Sequence, residues 1–216
     1  MALAILTVAT TPTVRPYLEP WDIEILRMNW PYYTAAAKAT QLPGGPSILA
    51  AIHYREAGLH RGYYSYRRRK LIKNMGGPFM LDPGPADNPG EMRKRIRAWE
   101  LRVARLYGVG GKTPTVQEHF GFSCLVAADF LKRKFRTGHG LEDAVWGYNG
   151  RAAWQAGPKF SAYVSSDPKL GTKLEVWYRR TDGTKVRYVD TRPGVMVLYR
   201  EIENLVKAGQ LQKGEK

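Results

Sequence analysis

The sequence predicts a mainly helical α+β domain of 216 residues, and three observations carry that expectation. Apolar residues recur every three to four positions in several segments bounded by cap and breaker residues. A single strong hairpin signal lies near the C-terminus. With 44% hydrophobic and 12% aromatic residues, the chain is long enough to bury one substantial core.

Residues 1–20 alternate apolar residues with Thr and Pro and read as an extended arm. Trp21 to Asn29 has helical spacing, and a second short helix, Pro31 to Ala39, is expected after a break at Trp30-Pro31. Gln41 to Pro46 is a turn. The helix that follows, from Pro46, comes after the loop residues Gly44 and Gly45, presents Ile48, Leu49, Ile52 and the ring of Tyr54 as an apolar face, and stops at Gly58. Gly62 to Lys73 is basic and aromatic, with Tyr63, Tyr64 and Tyr66 ahead of Arg67, Arg68, Arg69, Lys70 and Lys73. Asn74 to Gly84 is too rich in Gly and Pro for a helix and too apolar for an ordinary exposed loop, so it reads as a loop or short strand held against the body.

Pro83 to Pro89 is a loop, and Glu91 to Tyr107 is a basic amphipathic helix carrying Ile96, Trp99, Val103 and Leu106 inward. Thr115 could cap a helix through Val116 to Arg136 that buries Leu125, Ala128 and Leu131. Leu141 to Tyr148 is a further helix ended by Asn149-Gly150. Leu174 to Arg180 and Lys185 to Asp190 flank Thr181-Asp182-Gly183-Thr184 as a hairpin. Pro193-Gly194 leads into a closing helix, Val195 to Val206. The expected organisation is an arm (1–20), one domain (21–208, with hairpin 174–190 and closing helix 195–206) and a polar tail (209–216).

Charge narrows the partner. The 34 Lys and Arg against 19 Asp and Glu give a formal charge of +15, which points to an acidic partner: nucleic acid, an anionic membrane or a bacterial wall polymer. The one cysteine, Cys124, excludes an intramolecular disulfide framework and reads as buried filler. No Cys/His cluster has zinc-ligand spacing, so neither a metal nor a cofactor is implied. Met1 to Thr10 is apolar but has no basic n-region and is too short to span a bilayer, so neither a secretion signal nor a membrane span is expected.

Glu56 is the candidate catalytic group. It falls in the last turn of its helix, where the dipole favours cations and a carboxylate is out of place. Its alternative is a solvated surface acid. Glycoside cleavage needs a carboxylic acid still protonated near neutral pH, and partial burial beside Tyr54, Ala57 and Leu59 raises a pKa in that direction. Asp82 is the candidate second carboxylate, steadying an oxocarbenium-like centre or activating water; its alternative is a turn cap before Pro83. The ring of Tyr63 is suited to stacking on a sugar face or on a base.

The helix ending in Glu56, the run Gly77-Pro78-Phe79-Met80-Leu81-Asp82, the helix end Tyr148-Asn149-Gly150 and the pair Tyr163-Val164 follow one another in order and spacing. Over roughly Pro46 to Val164 they resemble the lysozyme-like fold of lytic transglycosylases, goose-type lysozymes and phage muramidases. That family usually has Ser after its catalytic Glu, where this chain has Ala57, and Gln where this chain has Met80. The resemblance implies that Glu56 is the general acid, that Gly77, Phe79 and Met80 line the sugar cleft, and that the Tyr148 hydroxyl points at the reacting sugar with Asn149 beside it. The alternative for Tyr148 and Asn149 is a helix C-cap with a packed ring.

It further implies a peptidoglycan-cleaving activity, muramidase or lytic transglycosylase, with Asp82 favouring hydrolysis if it reaches a water. Peptidoglycan glycan strands are the implied partner. A phage protein, either virion-borne with other virion proteins as neighbours or held in the host cytoplasm until lysis, is the expected setting. The rival expectation is a nucleic-acid-binding or structural virion protein acting through Tyr63–Lys73 and Glu91–Arg105.

Overall fold

The computed structural model describes residues 17–61, 64–68, 71–76, 78–79, 81, 86, 88–109, 119–135, 137–149, 158, 161, 163–165, 175–179, 184–189 and 192–211. Within them the protein is mainly helical. The helices are α1 (Pro20–Thr40), α2 (Gly45–Ala57), α3 (Pro89–Leu106), α4 (His119–Lys132), α5 (Leu141–Tyr148) and α6 (Val195–Lys207). Two antiparallel strand pairs accompany them: β1 (Tyr64–Arg68) with β2 (Leu71–Gly76), and β3 (Glu175–Arg179) with β4 (Lys185–Val189). The first pair carries an irregularity between Tyr66 and Arg67; the second runs in register from Glu175↔Val189 to Arg179↔Lys185.

The architecture is centred on α4, which packs against α1, α2, α3 and α5. Its sequence explains this. From Phe120 to Asp129 every residue is buried, and Leu131 follows, so the helix is shielded on all sides rather than along one stripe. Cys124 is a free, buried thiol within it. The core also takes Leu26 and Tyr33 from α1, Ile48, Leu49 and Ile52 from α2, and Leu198 and Ile202 from α6. Each such side chain contributes about 1.5–3 kcal/mol on burial.

Three sequence expectations change. The break at Trp30-Pro31 does not occur, and α1 runs unbroken through Pro31. Buried Leu26, Asn29, Tyr33, Ala36, Ala37 and Thr40 keep one continuous inward stripe across it, while Pro31 lies on the exposed side, where the carbonyl it leaves without a donor can turn to water. Packing therefore overrides the local breaker. On α3, Leu106 is not an inward residue but 68% exposed, and the helix starts earlier than expected because the Asn88 side chain accepts from the Glu91 N–H at 2.9 Å. Finally, the arm and the tail are anchored where they meet the helices. Glu201 accepts from the Tyr17 and Leu18 N–H groups at 3.2 and 3.0 Å, and Leu211 is buried while the Gln210 carbonyl accepts from Arg27 Nε at 2.6 Å.

Candidate active site

The site is built from the end of α2 upward. Gly44 and Gly45 take positive φ of 83° and 60° at the helix entrance, and Pro46 occupies the first turn. The Ser47 hydroxyl donates to Glu203 of α6, tying the start of α2 to that helix. Apolar burial of Ile48, Leu49 and Ile52 fixes the helix rotation, which leaves Glu56 half-buried in the last turn. Gly58, at φ 55°, ends it by donating its N–H to the Tyr54 carbonyl at 2.8 Å.

Facing Glu56 is Tyr163, whose hydroxyl donates to Glu56 Oε1 at 2.6 Å. The turn that carries Tyr163 closes through Val164 and Ser165 N–H bonds to the Ser161 carbonyl, at 3.1 and 2.8 Å. It is seated on the start of α6, where the N–H groups of Val195 and Met196 donate to the carbonyls of Tyr163 and Val164 at 2.7 and 3.1 Å. Helix α6 thus spends its otherwise unpaired N-terminal donors on positioning the partner of Glu56.

Arg55, only 3% exposed, sets its guanidinium 5.5 Å from the centre of the Tyr163 ring, and Arg192 Nη1 donates to the Arg55 carbonyl at 3.3 Å. The Glu56 carboxyl is consequently under opposed influences. Burial raises its pKa, while the Tyr163 hydrogen bond and the charges of Arg55 and Arg192 lower it, and burial wins, so the pKa lies above the ordinary glutamate value. Tyr148 and Tyr163 are pushed well above the ordinary phenol range by burial first and then by the Glu56 charge, so both phenols stay protonated donors.

The other buried acids differ in kind. Glu100 is met by Arg97, His119 and Ser123, and Asp129 by Tyr107 and Arg133; both serve to tie α3 and α4 together. Glu56, like Asp129, accepts from a phenol, but it stands at the end of α2 against the 163–165 turn rather than between α3 and α4. Among the described residues no His, Cys, Asp and Glu side chains are grouped so as to hold a metal ion, and no helix is long and apolar enough to cross a membrane.

Of the other residues singled out from sequence, Gly77, Met80, Asp82 and Tyr63 lie outside the described residues. Phe79 is buried, with its ring 5.0 Å from that of His53 and 6.4 Å from that of Phe120, so the ring belongs to the core rather than to a cleft surface. Tyr148 is buried at the end of α5, and its hydroxyl donates to the Phe79 carbonyl at 2.9 Å instead of standing free for a sugar. Asn149 is the exposed C-cap of α5. Sequence reasoning missed Tyr163, Arg55 and Arg192 as site residues. Only for Tyr163 was there a signal, the Tyr-Val pair. No protein-family model, curated protein or solved structure matches the chain.

Proposed function

We propose that this chain is a lysozyme-like peptidoglycan-cleaving domain, its helices completed by the C-terminal hairpin, that breaks the β-1,4 bond between N-acetylmuramic acid and N-acetylglucosamine with Glu56 as general acid. The observation that carries this reading is the environment of Glu56: a carboxyl at a helix end, with a pKa raised by burial, held by the neutral hydroxyl of Tyr163.

With Oε1 accepting from Tyr163, Oε2 is left to carry the acidic proton. Transfer of that proton to the glycosidic oxygen breaks the bond from that oxygen to C1 of the muramic residue. The electron pair leaves with the N-acetylglucosamine oxygen, and an oxocarbenium-like centre forms at C1. The Glu56 carboxylate then takes a proton from the nucleophile as the nucleophile bonds to C1. If the nucleophile is water the product has a reducing end; if it is the muramic 6-hydroxyl the product is a 1,6-anhydro sugar. The Tyr163 hydrogen bond strengthens as Glu56 ionises, which places its stabilisation on the charged side of the reaction. The net charge of +15 suits attraction to an anionic wall. The setting consistent with this chemistry is a phage enzyme, released at lysis or carried in the virion.

One observation favours a second reading. Arg93, Lys94, Arg102 and Arg105 are exposed on α3, a cationic face suited to nucleic acid. The deciding experiment treats purified peptidoglycan with the wild type and with Glu56→Gln and reads released muropeptides by mass spectrometry. Cleavage by the wild type alone supports the enzyme, and the muramic end distinguishes hydrolysis from transglycosylation. No cleavage of walls from several bacteria, together with salt-sensitive DNA binding that Glu56→Gln leaves intact, would replace it with the second reading.

A further inference from the structure

Behind Glu56 the chain makes a turn that its own backbone does not favour. Gly58 and Leu59 are successive left-handed residues, at φ 55° and 65°, and Leu59 is a non-glycine residue in that region. Such a conformation persists only where its surroundings over-determine it. Here they do. The Leu59 side chain is buried, its carbonyl accepts from Asn29 Nδ2 at 3.4 Å, and the His60 carbonyl is bound by His53 Nε2 at 2.8 Å. Arg61, the next residue, donates from Nε to Asn29 Oδ1 at 2.6 Å and from Nη2 to the Met28 carbonyl at 3.0 Å, with its guanidinium over the rings of Tyr32 and Phe120.

These contacts form one directional chain. Arg61 donates to Asn29, Asn29 donates to the Tyr33 hydroxyl at 3.2 Å, that hydroxyl donates to His53 Nδ1 at 2.6 Å, and His53 Nε2–H donates to the His60 carbonyl. The direction assigns His53 as the neutral Nε2–H tautomer, the form that accepts on one nitrogen and donates on the other. His53 lies one turn before Glu56 on the same helix and is fully buried. Its ring also meets that of Phe79, whose carbonyl receives the Tyr148 hydroxyl.

We infer that His53 is a positioning residue, which through Tyr33, Asn29 and Arg61 locks the turn Gly58–Arg61 and, through Phe79, sets the Tyr148 side of the site in fixed relation to Glu56. As a role in catalysis it rests on the glycosidase reading. The lock itself does not, because hydrogen bonds running from Arg61 to the buried neutral ring of His53, which also meets the Phe79 ring, span the exit of the acid's helix whatever the reaction is. Leucine at position 53 removes both hydrogen bonds. Glutamine can restore them, accepting from Tyr33 with its carbonyl and donating to His60 with its amide.

The test compares the full-length wild type with Tyr33→Phe, His53→Leu and His53→Gln. It reads the Glu56 titration midpoint by carboxyl-carbon NMR, amide exchange at Gly58–Arg61, and kcat and KM on soluble glycan strands. Tyr33→Phe and His53→Leu are expected to move the Glu56 midpoint toward the ordinary glutamate value and to speed exchange in the turn. They should lower kcat about tenfold or more with KM within about twofold, and His53→Gln should restore all of these toward wild type. Folded variants with unchanged Glu56 midpoint and unchanged exchange would overturn the inference. If His53→Leu does not fold, Tyr33→Phe, which removes a single oxygen, decides by the same readouts. A wild type that cuts no glycan overturns the glycosidase reading, while the titration and exchange arms still decide the lock.

Discussion

The hydroxyl of Tyr163 and the Oε1 of Glu56 stand 2.6 Å apart across 107 residues of sequence, in a hydrogen bond that works against the burial of the acid. Burial favours the protonated carboxyl, and the phenol favours the ionised one. Tyr163→Phe keeps the ring beside Arg55 and removes only the donor. The Glu56 pKa is expected to climb further, carrying the alkaline limb of the pH–rate profile upward. Turnover should fall by roughly 10- to 100-fold, the equivalent of about 1.5–3 kcal/mol for a hydrogen bond to a charged group. A pH profile of glycan cleavage checks both effects, and an unmoved alkaline limb would show that the bond has no hold on the acid.

Glu56 also makes stability depend on pH. Its folded-state pKa lies above the ordinary value, so from that ordinary value upward the folded protein keeps a proton that the unfolded chain has lost. The stability this confers is present at low pH and is lost as pH rises through the raised pKa. Glu56→Gln stays neutral throughout and should flatten this slope, being at least as stable as the wild type at pH 8. Denaturant unfolding of both proteins at pH 4 and pH 8 measures it; equal slopes would mean that Glu56 is not desolvated.

The seat of Tyr163 predicts a sharper lesion. A Cβ placed on Gly194 would lie 2.4 Å from the Ser165 carbonyl oxygen and 2.9 Å from its nitrogen, and both neighbours are backbone atoms that cannot swing away. Gly194→Ala should push the 163–165 turn off the start of α6 at a cost of about 1–3 kcal/mol. The melting temperature should fall and Tyr163 should be drawn from Glu56, so the titration of Glu56 should change along with it. A variant with wild-type melting would mean that the turn and α6 are not so closely apposed.

Much of this was legible in the residues and some was not, for physical reasons. Helix α2, its Gly58 stop and the place of Glu56 in its last turn follow from local chemistry, as does the burial of Leu125, Ala128 and Leu131 on one helix. Pro31 misled because a breaker is a local cost of about 3 kcal/mol, whereas the stripe from Leu26 to Thr40 recovers more through packing that no local window sees. The role of Arg55 was hidden for a related reason. A charged residue next to an acid reads as solvated surface, and only the arrival of Tyr163 from far along the chain gives its guanidinium a buried face to rest on. His53 carries no signal of its own in the sequence because its partners, Tyr33 and the His60 carbonyl, come from another helix and from a turn.

That buried imidazole yields the last prediction, and its sign is opposite to that of Glu56. Burial and the nearby charges of Arg61 and His60 lower the His53 pKa to about 4 from its ordinary value of 6.5, against the raising effect of its bond to the His60 carbonyl. Between those two values the unfolded chain binds a proton that the folded protein refuses. Stability contributed by the neutral ring is therefore complete above pH 6.5 and is lost progressively as pH falls toward 4, by about 3 kcal/mol in all. Protonation also strips Nδ1 of its capacity to accept from Tyr33, so the turn behind Glu56 should loosen in the same range. His53→Gln cannot titrate and should lack this loss. The difference in unfolding free energy between wild type and variant, followed from pH 7.5 to pH 4, is expected to shrink or reverse as the pH falls. A difference that stays constant across that range would mean that the ring takes up a proton as readily in the folded protein as in the unfolded chain.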